Sequence, residues 1–218
     1  MAFVDLHVHT TASDGALTPR QLVKRAKQVG LLAVGICDHD QIEGIAPAIL
    51  AGRKEKIEVI PGVELSCYWT ERNRKEFHLL GYLFDFKNKK LLRRLRFFQG
   101  ERKKRAQKIM GIFLKLGYYL EWDNLLKLAE GTIGKPHIAR AIFENPKNKK
   151  RLLNKFGKLP SVSEFIEEYM VPGKQADVEK AGFEPQEAID LIHEVKGVAV
   201  LAHPGFDIEM GEDRKAHV

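Results

Sequence analysis

The stretch FVDLHVH at residues 3–9 alternates with a period of two. In an extended strand that period places Val4, Leu6 and Val8 on one face and Phe3, Asp5, His7 and His9 on the other, so both imidazoles point the same way. Downstream, Thr18, Pro19 and Gln21 form a capping box with proline at the first helical position. Leu22, Val23, Ala26 and Val29 then give a helical apolar stripe that Gly30 closes. A second strand, LLAVGICDH, ends at Asp38 and His39, and Asp40 with Glu43 repeats the cap pattern before a short helix. IEVIPGVELS and FHLLGYLF read as two further strands. The β-α-β-α rhythm predicts an α/β fold with parallel pairing.

From about Lys87 the signal turns helical. Leu91, Leu95, Phe98, Ile109, Phe113 and Leu116 fit one or two amphipathic helices ending at Gly117. Asp123–Ala129, Pro136–Phe143 and Ser163–Tyr169 also read as helices, and NPKNKKR at Asn145–Arg151 as a lysine-rich linker. The β-α signal resumes with a helix over Pro185–Val195 and the strand GVAVLAHPG, which ends on His203. The predicted organisation is an α/β body, 1–86 and 184–218, interrupted by a basic helical insertion, 87–183.

At 218 residues with 44% hydrophobic content the chain can bury a sizeable core. No stretch reaches the roughly 20 apolar residues that span a bilayer, and the chain opens on a strand rather than a leader, so the expectation is a cytoplasmic protein with no membrane partner. Cys37 and Cys67 form no CxxC pair and read as buried small hydrophobes. Charge is uneven: Lys87–Lys180 holds 23 basic and 10 acidic residues, the rest 13 and 19. A +13 middle between flanks totalling −6 suits flanks that hold cations and a middle that meets an anion, although solvated helix faces also produce charge runs.

Chemistry gathers where the strands end. His7 and His9 suit adjacent ligands on one ion, and Asp14 follows in the next turn. Asp38 and His39, Glu64, His78 and His203 lie at or near four further strand ends. Hard divalent cations take carboxylate and imidazole together, and a carboxylate can bridge two ions, which marks Glu64. The alternatives are a surface glutamate for Glu64 and a core histidine for His78. His193 falls on the polar side of its helix, and His217 lies in a charged tail; neither is given a role.

Taken together, DLHVHTTASDG, ICDHD, PGVELS, the strand with His78 and VLAHPG resemble, in order and spacing, the PHP (polymerase and histidinol phosphatase) family of metallophosphoesterases. The insertion, with GTIGKPHIAR and VPGKQADVEK, is similar in placement to the subgroup that cleaves nucleoside 3',5'-bisphosphates and trims 5' ends of short RNA. The resemblance implies a distorted (β/α)7-type barrel holding up to three divalent ions, manganese first, with iron, zinc or magnesium as alternatives. It implies that His7, His9 and Glu64 hold one ion, that Glu64 bridges to a second held by His78 and His203, and that Asp14 and His39 hold a third. A metal-activated hydroxide served by His7, His9 and Glu64 would attack phosphorus. Lys135, His137, Arg140 and Lys174 are implied as substrate contacts in an insertion covering the site, with a nucleotide or short RNA as partner and no obligate protein partner.

Three departures accompany the resemblance. Cys37 stands where relatives commonly have threonine, and Lys135 where they have arginine, a point charge for a bidentate fork. The family's Asp-x-His beyond the AHPG strand does not occur before Val218, and GEDRKAHV does not replace it. The barrel is therefore expected to be incomplete at its C-terminus, with the first and third ions each short of a ligand. That leaves open a weakly active or non-catalytic metal- and nucleic-acid-binding fragment, and, among enzymes, a phosphatase of a small metabolite such as histidinol phosphate.

Overall fold

The computed structural model describes residues 3–70, 75–129 and 133–207. The GEDRKAHV tail with His217, and Gly131 and Thr132 of GTIGKPHIAR, lie outside them. The chain divides into two compact units, Met1–Arg96 with Gly182–Val218, and Phe97–Ala181.

The first unit is α/β. Its strands are β1 (Phe3–Val8), β2 (Leu31–Ile36), β3 (Glu58–Trp69), β4 (Lys75–Tyr82) and β5 (Val198–Leu201). They form one sheet in chain order, the order of a distorted barrel wall. Helix α1 (Pro19–Gln28) starts as the capping box predicts, with Gln21 N donating to Thr18 Oγ1 at 3.3 Å and Thr18 N to Gln21 Oε1 at 3.0 Å. Leu22, Val23 and Ala26 of α1 and Ala48 and Ala51 of α2 (Ile45–Glu55) pack on Val34 and Ile36 of β2.

Two expectations fail here. β1, β2 and β3 pair in parallel, but β3–β4 and β4–β5 are antiparallel. Only five residues separate Trp69 from Lys75, and a parallel return needs a crossover of about a dozen or more. Nor do Asp40 and Glu43 cap α2: its N-cap is Gly44, with no side-chain bond. The Asp40 carboxylate instead accepts Ser66 N at 2.8 Å and Ser66 Oγ at 2.9 Å. Both partners are buried on β3, where a bond to an anion is stronger than at a wet helix end.

The remaining helices are α3 (Lys89–Lys115), α4 (Trp122–Ala129), α5 (Lys135–Glu144), α6 (Lys149–Phe156), α7 (Val162–Tyr169), α8 (Pro185–Glu194) and the short α9 (Pro204–Asp207). The predicted stripe from Leu91 to Leu116 resolves into the single helix α3, after which Gly117 takes φ +79°. The second unit has its own core, centred on Phe113 stacked on Phe165 at 5.4 Å between ring centroids, with Tyr118 and Tyr169 edge-on to both or tilted. NPKNKKR is not a linker: Pro146–Asn148 is a 3-10 turn and Lys149 opens α6. None of the described helices is long and apolar enough to cross a membrane.

Candidate metal centre

Glu64 sits mid-strand in β3 and is 1% exposed, a position a carboxylate holds only with charged or hydrogen-bonding company. Five imidazoles supply it. Oε2 lies 3.1 Å from His7 Nε2, 3.1 Å from His9 Nε2 and 3.3 Å from His39 Nδ1. Oε1 lies 3.0 Å from both His78 Nδ1 and His203 Nε2. The two oxygens thus face different histidine sets, the disposition a bridging carboxylate needs.

Strand geometry delivers these side chains. The period of β1 turns His7 and His9 to one side, their rings 5.2 Å apart. In the β3–β4 register Ser66 opposes His78 and Glu64 opposes Leu80, so Glu64 and His78 share a face. His39 follows β2 and bridges to Glu64 through the backbone. His203 follows β5 at φ +24°, a strained conformation for a side chain other than glycine's.

Asp14 is reached by a tight turn. Ser13 N and Gly15 N both donate to Thr10 O, at 3.0 and 2.9 Å. A Cβ on Gly15 would stand 2.3 Å from His9 O, so only glycine lets this turn close. Asp14 then faces His9 Nδ1 at 3.5 Å and His39 Nε2 at 3.8 Å. Asp38, 1% exposed, holds the turn from below: Oδ1 accepts Thr10 N and Ser13 Oγ at 2.7 Å each, and Oδ2 accepts Thr10 Oγ1 at 2.8 Å.

Protonation follows from this crowding. Burial pushes the Glu64 carboxyl up, but His7, His78 and His9 together hold it well below the usual carboxylate range. Burial also drives His39 down, to about 4, despite Glu64 and Asp14. For His9 burial is outweighed by Glu64, Asp14 and Asp38, and its pKa is raised.

A divalent ion suits the donor set. His7 Nε2, His39 Nδ1 and Glu64 Oε2 are buried and lack a well-formed hydrogen bond, although their separations are short. Orphaned donors around one carboxylate oxygen are costly unless they share an ion. Ligand atoms within 4.8 Å of one another group as His7, His9 and Glu64; His9, Asp14 and His39; and His39, Glu64 and His78. Mixed imidazole and carboxylate fit manganese, iron or zinc.

The structure therefore brings together His7, His9, Asp14, His39, Glu64, His78 and His203. Lys135, His137, Arg140 and Lys174 belong to the second unit. Lys135 opens α5, with Pro136 behind it; Arg140 and Lys174 are exposed; and His137 is buried, its Nδ1 accepting Gly134 N at 3.0 Å. His193 is exposed. Asp38 and Asp40 are the residues whose part the sequence reading missed; the signal was present in the unbroken run Asp38-His39-Asp40 between strands. Cys37 and Cys67 are buried, and burial pushes the Cys37 thiol up to about 12, too high for a nucleophile at neutral pH.

A family model described as "PHP domain" matches residues 5–195. The chain is 35% identical over 200 residues to a 5'-3' exoribonuclease of Haemophilus influenzae, covering 92% of this chain and 68% of that protein. It is 28% identical to a 3',5'-nucleoside bisphosphate phosphatase of Chromobacterium violaceum, covering 94% and 68%. A solved structure from Bifidobacterium adolescentis, assigned as a metal-dependent phosphoesterase, superposes with TM-score 0.78 at 26% identity over 93% of this chain and 67% of that one. The chain thus spans about two thirds of the length of each.

Proposed function

Since the chain belongs to the PHP domain family, we propose that it is a metal-dependent phosphoesterase acting on a nucleoside 3',5'-bisphosphate or the 5' end of a short RNA. The observation that carries this reading is the buried Glu64 carboxylate with five imidazoles within 3.3 Å and Asp14 alongside two of them. His7, His9 and Glu64 would hold one ion, Glu64, His78 and His39 with His203 a second, and Asp14 and His39 with His9 a third. Bound divalent ions supply positive charge against the phosphate oxygens and make water acidic enough to attack near neutral pH.

The chain's own residues do the rest. Glu64 stays ionised, and His39 stays neutral, a ligand form, down to about pH 4. No protein nucleophile is needed, in keeping with the high thiol pKa at Cys37. Lys135, Arg140 and Lys174 attract the substrate's phosphates, and α5, with Pro136 in its first turn, offers an N-terminus of the polarity that favours anions. His137 orders that first turn through Gly134. The names of the relatives support a nucleotide or RNA substrate over histidinol phosphate.

The experiment is phosphate release from a nucleoside 3',5'-bisphosphate with added manganese. Turnover that His9→Ala and Glu64→Ala abolish is the expected result. Full manganese loading with no turnover on any phosphate monoester would leave a non-catalytic metal-binding protein, and faster release from histidinol phosphate would change the substrate class. Unchanged processing of 5'-phosphorylated oligonucleotides by the Lys135→Ala, Arg140→Ala double variant would remove α5 from substrate binding.

A further inference from the structure

We propose that the second unit carries a groove of its own for single-stranded nucleic acid, built around Tyr119 and the lysine-rich corner at Asn145–Arg151. The inference takes its ligand class from the nucleic-acid reading above, but its geometry owes nothing to the metal centre.

That corner is held rigid. Asn145 Oδ1 accepts Lys147 N at 3.1 Å, and Asn148, fully buried, makes three side-chain bonds. Its Oδ1 accepts Tyr119 N at 2.7 Å, and its Nδ2 donates to Tyr119 O and Ile142 O at 2.8 Å each. The backbone of Tyr119 is thereby fixed at both its polar groups, while the residue is 52% exposed. Lys147 Nζ stands 5.1 Å from the centre of that ring. Beside it, the Arg151 guanidinium lies 5.6 Å over Tyr118, whose hydroxyl is tied to Tyr169 at 2.8 Å.

These groups line a cavity of about 830 Å³ together with Lys150 and Lys155, and no Asp or Glu is among its lining residues. Lys155 is paired with Glu168 outside the lining; Lys147, Lys150 and Arg151 face the groove. The whole unit carries 17 basic against 10 acidic residues, so it draws polyanions from a distance. Several cations around an exposed aromatic ring match the two faces of a nucleotide, phosphate for the cations and base for the ring. An acidic peptide would use the cations alone. A volume of this size also exceeds what one inorganic phosphate fills.

The test is anisotropy of a dye-labelled oligouridylate of about ten nucleotides, a length within the usual span of such sites, measured with chelator so that no turnover occurs. Binding should weaken at least about tenfold in Tyr119→Ala and be restored in Tyr119→Phe, because stacking needs the ring and not the hydroxyl. Replacing Lys147, Lys150 and Arg151 together by alanine should flatten the plot of log affinity against log salt by about two, since each phosphate no longer neutralised on a single strand removes roughly 0.7 from the slope. All four positions are exposed, and circular dichroism checks that each variant folds. Unchanged affinity in Tyr119→Ala would overturn the proposal, as would equal competition by polyglutamate at matched charge. Phosphate release from the bisphosphate reports the metal centre alone, so failure of the groove and failure of the phosphoesterase reading are separately visible.

Discussion

Asp38→Ala tests whether a residue that binds no metal sets the geometry of the metal centre. The Asp38 carboxylate accepts three hydrogen bonds of 2.7–2.8 Å, two from Thr10 and one from Ser13, and all three residues are at most 2% exposed. Bonds to a buried charge contribute about 1.5–3 kcal/mol each, but desolvation of the carboxylate offsets part of the sum. Truncation also strands the Thr10 N–H in a dry site. The expected loss is about 3–5 kcal/mol, the range for breaking a buried charged network from one side. Asp38→Asn keeps the shape and one acceptor and should lose only about 1–2 kcal/mol. Urea unfolding in chelator measures both. Because the turn carries Asp14, the surviving folded fraction should also bind manganese at least about tenfold more weakly by calorimetry, equivalent to about 1.4 kcal/mol. A loss below about 1 kcal/mol in Asp38→Ala, or normal manganese binding despite lowered stability, would refute the account of Asp38 as the clamp on that turn.

Further outcomes follow from the same structure. Without metal, stability should fall as pH drops from about 6.5 toward 4, because unfolded His39 takes up a proton that the native site refuses down to about 4. That difference is worth about 3 kcal/mol at pH 4; the depressed Glu64 acts in the same direction as pH falls further, whereas the stabilisation from the raised His9 is fully present below about 6.5 and adds no slope, so urea midpoints in chelator should decline across this window. Gly44→Ala should destabilise by about 1–3 kcal/mol in the same measurement, since its Cβ would stand 2.3 Å from Asp38 Oδ2 and 2.9 Å from Thr10 Oγ1. Asn148→Ala should cost about 2–4 kcal/mol by leaving part-buried backbone groups of Tyr119 and the buried Ile142 carbonyl without their Asn148 partners, read as a lowered unfolding midpoint.

Local chemistry was legible in the residues themselves. The capping box at Thr18, the helices with proline in their first turn and the helical stripe ending near Gly117 depend on neighbours within a turn or two, and they stand where the spacing put them. The antiparallel return of β4 was also available, since the strands read as IEVIPGVELS and FHLLGYLF leave only residues 67–76 between them, but the β-α rhythm around it argued the other way. NPKNKKR misled because its composition is that of a solvated loop, whereas one buried asparagine decides its conformation. Composition averages over positions; a hydrogen-bond network does not.

The metal centre divides along the same line. Sequence alone determined that His7 and His9 point together, because the pleat of a strand repeats every two residues wherever the strand lies. Tertiary structure decided which other groups join them. Glu64 and His203 are 139 residues apart in the chain, and Glu64 meets His78 only because Ser66 pairs with His78; a slip of one residue would send that imidazole to the other face. The same holds for the carboxylates of Asp38, Asp40 and Glu64. As residue types they are interchangeable candidates for an ion, and what assigns Glu64 to the cluster and the two aspartates to the scaffold is which buried donors the packed strands place against each.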